Sequence, residues 1–334
     1  MKPEFRKELR ELLPAKKIFP YFAEREGGWL LHHRLRQPAR IAELRRGPLA
    51  PLLTRPGVRD VVAACGRGWV TPENLLPLAE PLDALSRESQ LSGDRATEVA
   101  LDTAVAADWR EVSITHSEWA DGCNGFYRRE LQVSRTGGNL VIQVNFPEAF
   151  QDEFDALFPI ETRRALETRQ HPVRKDLITM GWIRLDFERD GEDLLIEEVQ
   201  TDWLRIAKRC RNDLAKQGPS AFEADRLAFL DRALALYGRD WARMLMLVAL
   251  DFARTRAGIR HVWMHQYLPG AKLKHIIEYD LPPRSLYTDL PRRFGFVRTD
   301  RAPAFLYPAR SQVLSRLRRQ GEPLFWRLDL NETV

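Results

Sequence analysis

The stretch MGWIRLDFERDGEDLLIEEVQ, Met180–Gln200, decides the fold. Its first half alternates: Trp182, Arg184, Asp186 and Glu188 fall on one side, Ile183, Leu185 and Phe187 on the other. That period of two is the signature of a strand. Arg189-Asp190-Gly191 supplies a turn, and Leu194-Leu195-Ile196 begins a second apolar run. The two runs read as a β-hairpin, with 178–188 and 193–200 as adjacent antiparallel strands. The second strand ends in EEVQTDW, Glu197–Trp203. Alternation places Ile196, Glu198, Gln200 and Asp202 on one face and Leu195, Glu197, Val199 and Thr201 on the other. Acidic residues are depleted in strand interiors, so this crowding has two readings. Either the carboxylates face a ligand as general base or polar anchor, or they cap neighbouring loops and pair with nearby arginines.

Toward the C-terminus a polar, Lys/Arg-rich segment runs to about residue 220. Asp240 then reads as the N-cap of a helix whose Trp241, Met244, Leu245, Val248, Ala249 and Phe252 share one face, with Gly258 as its stop. IRHVWMHQ (Ile259–Gln266) reads as a short strand, expected to lie parallel to 193–200 because a helix connects them. PGAKLKHIIEY is one more helix, RFGFVRT and APAFLYP are two further strands, and PLFWRLDL is another. Toward the N-terminus, RRELQVSRTGGNLVIQVNF (Arg128–Phe146) reads as a hairpin about Thr136-Gly137-Gly138, and PEAFQDEFDALFPIETRRALETR as helical. Residues 1–105 read as helical and punctuated by proline. Thr71 is an N-cap and Pro72 the first helical residue there. The expected architecture is α+β: a mixed central sheet with flanking helices over 106–334, preceded by the helical region 1–105.

A chain of 334 residues with 44% apolar content can bury a sizeable core. Lys and Arg exceed Asp and Glu by 52 to 47, a net charge of +5 that permits an anionic or nucleic-acid partner without requiring one. Cys65, Cys123 and Cys210 lie far apart and form no CxxC pair, which points to a reducing compartment, the cytoplasm. The charged N-terminus lacks the apolar core of a secretory signal, and no 18-residue apolar run exists to span a membrane.

The segment SLYTDLPRRFGFVRTDRAPAFL (Ser285–Leu306) resembles the end of GNAT-type N-acyltransferases, where a Tyr and a Gly-Phe pair lead into the last two strands. The helix–strand–helix order from Trp241 to Ile277 fits the same family. The resemblance spans roughly residues 127–310 and implies a GNAT-like sheet and transfer of an acyl group from a thioester to an amine, with acyl-CoA as donor. It implies Glu198 or Asp202 as the group deprotonating the amine and Tyr287 as the acid for the leaving thiolate. In that fold the ligand lies where the 194–202 and 260–265 strands splay. His265 is then a further acid–base candidate, and Gln200, Trp203, Trp263 and Arg293 are candidate substrate contacts. One departure stands out: the family holds the CoA pyrophosphate on a Gly-rich loop at a helix N-terminus. The stretch TDWLRIAKRCRNDLAKQGPSAF has the single glycine Gly218, leaving Lys208, Arg209, Arg211 or Lys216 as alternatives. IEEVQTDW also resembles a Glu-Glu-Ile-Gln-Ser-Asp-Trp signature of phage and mobile-element polyvalent proteins. That resemblance implies the alternative of a non-catalytic module that contacts protein or nucleic acid.

Other features keep two readings each. His261, Trp263 and His265 share a strand face, as acid–base groups or as hydrogen-bonded core residues. No metal site is assigned to His261 and His265. THSEWADGCNGFYRRE (Thr115–Glu130) is either an active-site loop with Cys123 as nucleophile and His116 as base, or an irregular loop packed by its aromatics. Asp289 and Arg292 read as solvated. The basic run His32–Arg46 is either a phosphate-contacting or an ordinary solvated face.

Overall fold

The computed structural model describes residues 1–13, 16–47, 49–66, 68–81, 94–119, 132–166, 171–172, 176–189, 191–217, 220–276, 281–321 and 323–330. The chain divides into two compact units. One comprises Met1–Phe19, Glu111–Pro291 and Val297–Arg327, the other Pro20–Arg110, Arg292–Phe296 and Leu328–Val334. The strands are β1 (Lys17–Tyr21), β2 (Ala39–Arg40), β3 (Trp69–Val70), β4 (Arg110–Trp119), β5 (Asn139–Asn145), β6 (Thr179–Phe187), β7 (Asp193–Gln200), β8 (His261–His265), β9 (Val297–Thr299) and β10 (Phe325–Asp329). Eight of them form one mixed sheet in the order β1-β4-β5-β6-β7-β8-β10-β9, and β2 with β3 forms a separate pair. Helices flank the large sheet, so the architecture is mixed α+β.

The central hairpin forms as its alternation predicts: β6 and β7 are antiparallel neighbours, closed by the Glu188 N–H donating to the Asp193 carbonyl at 2.9 Å. Asp190 of the expected turn lies outside the described residues. β8 lies parallel to β7, and the helix Trp241–Thr255 precedes it. That helix is apolar around most of its circumference, and Met244 through Leu250 are all buried. Asp240 stands at its N-cap position, but the carboxylate pairs with Arg243 instead of capping a backbone N–H. Gly258, at φ +65°, ends it by turning the chain through the left-handed region. The helix packs on the sheet where Gly181 has no side chain. A Cβ there would stand 3.1 Å from Leu245 Cδ1 and 2.9 Å from the Gln200 carbonyl oxygen.

Three expectations are corrected, and one segment left unassigned by its sequence proves helical. The partner of β5 is β4, 20 residues or more upstream, and not the stretch before Thr136; residues 132–138 are turn and bend, and 128–131 lie outside the described residues. The polar segment after β7 is helical over Trp203–Gln217 and is followed by a second helix, Ala221–Tyr237. The expected strand APAFLYP is a short 3-10 turn, Ala304–Leu306, leading into the helix Tyr307–Arg318. The N-terminal region holds strands as well as helices, since β1, β2 and β3 all fall there.

The register gives the sheet two unlike faces. Ile114, Ile142, Ile183, Leu185, Ile196 and Val199 share the side on which Leu245 packs. Thr115, Gln143, Asn145, Trp182, Arg184, Glu198 and Gln200 share the other. This second face is polar and still buried: Gln143, Asn145, Arg184 and Asp186 are all at 0% exposure. Such burial demands partners. Thr115 Oγ1 donates to Gln143 Oε1 (3.0 Å), Asn145 Nδ2 to Thr115 Oγ1 (3.0 Å) and Thr179 Oγ1 to Asn145 Oδ1 (2.9 Å).

In the other unit the helix Pro72–Ala79 starts as its sequence predicts. Thr71 and Asn74 cap each other and Pro72 opens the helix. Helix Arg25–Arg34 packs closely against it at Gly28, where a Cβ would fall 2.4 Å from Leu78 Cβ.

Candidate functional site

The parallel pairing of β7 with β8 runs only from Asp193↔His261 to Ile196↔Met264. At that point β7 also slips against β6: Leu185 faces Ile196, but the next pair is Arg184↔Glu198. Glu197 is therefore the extra residue of a β-bulge. The strict alternation expected for 194–202 fails here, and Glu197 joins Glu198 on the polar side instead of pointing at the opposite face. A bulge also leaves a backbone carbonyl unpaired by the ladder. Lys274 Nζ, from the helix Tyr267–Lys274, donates to the Glu197 carbonyl at 2.8 Å.

The Glu197 carboxylate is fully buried and bonded at both oxygens. Oε1 accepts from the Ser134 backbone N–H (3.0 Å), Oε2 from Ser134 Oγ (2.9 Å), and His265 Nε2 lies 3.2 Å from Oε2. Ser134 Oγ and His265 Nε2 are also 2.9 Å apart. Burial alone raises the pKa of Glu197. The His265 hydrogen bond, then the positive charges of His265, Lys274 and Arg184, outweigh it and hold the carboxyl at about 2. Burial pushes His265 the other way, below the usual imidazole value, against the pull of Glu197. The hydrogen bond at Nε2 puts the proton there, and Nδ1 has no partner among the described residues. Gly270 abuts this ring: a Cβ at 270 would stand 2.5 Å from His265 Cβ. Arg310, on the helix Tyr307–Arg318, fixes the Ser134 segment by donating to the Ser134 and Val133 carbonyls.

Beside this triplet lies a second group. Glu198 pairs with Arg184, its cross-strand neighbour, and Arg184 also donates to the Gln132 carbonyl at 3.0 Å. The Arg184 guanidinium stands 5.0 Å over the Trp119 ring, which is stacked on Trp182. Lys274 Nζ lies 5.8 Å from the Tyr287 ring centre. Burial lowers the Lys274 pKa, against the pull of Glu198. Burial, then the Glu198 charge, raises that of Tyr287, against the opposing charge of Arg184. Tyr287 Oη has no partner of hydrogen-bond geometry among the described residues, while the Tyr287 carbonyl accepts from Trp326 Nε1 at 2.8 Å. A buried phenol beside a carboxylate and a lysine can donate to an incoming ligand atom.

The expected site residues thus separate into groups. Glu198, His265 and Tyr287 gather where β7 and β8 part. Gln200 and Asp202 form another group at the strand end with His171. Asp202 pairs with His171 and accepts from Arg205 (2.8 Å) and Gln200 (3.1 Å). Burial opposes ionisation of Asp202, but His171, Arg205 and Gln200 hold its pKa at about 2. Trp203 is core, packed edge-on against Phe146 at 4.6 Å, and Trp263 is core against Phe325. Arg293 belongs to the other unit, where Glu24 and the buried Glu26 hold its guanidinium. Cys123 lies outside the described residues, and His116 is on β4, facing the apolar side opposite Ile142.

Ser134, Arg184, Glu197, Lys274 and Arg310 complete the cluster and were not singled out by sequence reasoning. Arg184 carried a signal: it stands among Trp182 and Asp186 on one face of a strand buried along its whole length. Lys274 and Ser134 carried none, because only folding brings a helix end and a turn to the bulge. In comparisons with known proteins, no family model, no curated protein and no solved structure matches this chain.

Proposed function

We propose that the unit holding the large sheet is a GNAT-like N-acyltransferase module whose reacting groups meet where β7 and β8 diverge. The observation that carries this reading is the bulge at Glu197. It ends the β7–β8 ladder and gathers Glu198, Lys274 and Tyr287 at one place. Strand order and the parallel β7–β8 pair, with β6 antiparallel on the far side of β7, support the fold side of the reading.

In this mechanism the amine nitrogen attacks the thioester carbonyl carbon. The N–C bond forms, the C–S bond breaks, and the sulfur leaves as a thiolate that takes up a proton from water. Glu198 takes the proton lost by the nitrogen, and Arg184 orients its carboxylate. Tyr287, kept as a neutral phenol by burial, donates a hydrogen bond to the sulfur as negative charge develops on it. The start of helix Trp203–Gln217 is taken up by Asp202 and its partners Arg205 and His171, where a glycine-rich turn would otherwise present free backbone N–H groups to a diphosphate. The donor is therefore a thioester whose phosphates, if it has them, are held elsewhere.

The test is thiol release from acetyl-CoA and from shorter acyl thioesters, with a panel of amines. Glu198→Gln and Tyr287→Phe should each slow release by roughly 100-fold or more while the fold persists. Absence of thiol release with every donor would end the catalytic reading. A second reading, a binding module for protein or nucleic acid, draws on one observation: the Glu197 carboxylate is already taken up by Ser134 and His265 Nε2 inside the fold. Nucleotide or RNA binding without turnover would favour it.

A further inference from the structure

The unit built from Pro20–Arg110 contains a donor cluster unrelated to the acyl-transfer reading. His32 and His33 lie in the last turn of helix Arg25–Arg34, and Glu80 caps the end of helix Pro72–Ala79. One ligand atom from each lies within 4.8 Å of the others, and all three residues are half-buried. We infer that His32, His33 and Glu80 form a binding site for a zinc-type divalent cation.

Three observations carry this. The first is the donor set: two imidazoles and a carboxylate are the ligands zinc takes when three protein groups leave a fourth position for water. The second is the tautomer of His32. Its Nδ1 lies 2.8 Å from the Pro72 carbonyl oxygen, which only accepts, so Nδ1 carries the proton and Nε2 keeps its lone pair. A backbone carbonyl holding the far ring nitrogen is the usual support behind a metal-ligating histidine, because it fixes the tautomer and the ring plane. The third is the scaffold. The bare Gly28 lets the two helices approach until side chains from both converge, and Arg25 NH2 fastens the far end by donating to the Ala79 carbonyl at 2.8 Å, next to Glu80. His33 is braced on its other side by Trp29, with the ring centres 4.5 Å apart. Adjacent histidines on a helix diverge by about 100° in direction, so their convergence with a carboxylate from a second helix is not a by-product of sequence proximity.

The experiment is titration of the full-length, chelator-treated chain with Zn²⁺ by calorimetry, and with Co²⁺ by visible absorption. The wild type should bind about one equivalent saturably, and Co²⁺ should give the intense bands of a four-coordinate site. His33→Gln and Glu80→Gln should each weaken binding by about 100-fold, at least the loss that supporting groups alone produce. His32 is left intact because it also holds the Pro72 carbonyl. Should His33→Gln fail to fold, Glu80→Gln at the half-exposed helix end carries the test. No saturable binding, or binding equally tight in both variants, would overturn the site. None of these readouts depends on acyl transfer.

Discussion

Glu197→Gln is the substitution that most directly probes the bulge. It keeps the side chain's shape and removes its charge. In the wild type the carboxylate accepts from the Ser134 N–H, the Ser134 hydroxyl and His265. A glutamine presents an NH₂ in place of one oxygen, so the Ser134 hydroxyl and His265 must reverse their roles to accept it, and the charge that the pair is built around is gone. Breaking a fully buried charged partner typically costs about 3–5 kcal/mol. The pKa gives an independent magnitude. Held at about 2 against an ordinary 4.5, Glu197 contributes about 3 kcal/mol of folded-state stability. The sign follows from the depressed value: this stability is fully present above pH 4.5 and is lost as pH falls toward about 2. The variant should therefore be less stable than wild type by about 3 kcal/mol at pH 7 but by only about 1 kcal/mol at pH 3, where about 2 kcal/mol of the wild-type contribution is gone. Native-state hydrogen exchange at the β7 amides, measured at both pH values, reads this unit without interference from the other. A loss below about 1 kcal/mol at pH 7, with no convergence at pH 3, would refute the picture of an ionised Glu197 held by Ser134 and His265.

Other outcomes follow from the packing. Leu245→Ala empties a site at 1% exposure against Gly181 and should cost about 2–5 kcal/mol in denaturant unfolding. Gly270→Ala drives a Cβ to 2.5 Å from His265 Cβ and should cost about 1–3 kcal/mol, with a shifted His265 imidazole NMR signal. An unchanged signal would mean the helix does not abut the ring. Among the described residues, Arg293→Met leaves the buried Glu26 with Arg55 at 3.5 Å as its cationic partner, and it should destabilise its unit by about 3 kcal/mol without altering thiol release. A selective loss of turnover would instead restore Arg293 as a substrate contact.

What the sequence determined by itself was local. The β6–β7 hairpin follows from period-two alternation and a glycine turn. The helix Trp241–Thr255 follows from its apolar periodicity and Gly258, and the start of helix Pro72–Ala79 from Thr71 and Pro72. Each of these signals resides in neighbours a few residues apart, where backbone sterics and burial act alone. The tertiary structure decided the rest. The pairing of β5 with β4 was chosen by which distant strand buries the same faces, so the nearer candidate before Thr136 lost. The helical state of Trp203–Gln217, polar in sequence, was set by packing of its thin apolar side, including Leu204 and Ala207. The bulge at Glu197 matters most for the site. Alternation places Glu197 opposite Glu198, yet one slipped residue brings both to the polar side, because buried acceptors require the donors that Ser134, His265 and Lys274 deliver from a turn, a parallel strand and a helix end. Those donors are 63 to 77 residues away along the chain, beyond the reach of any local pattern.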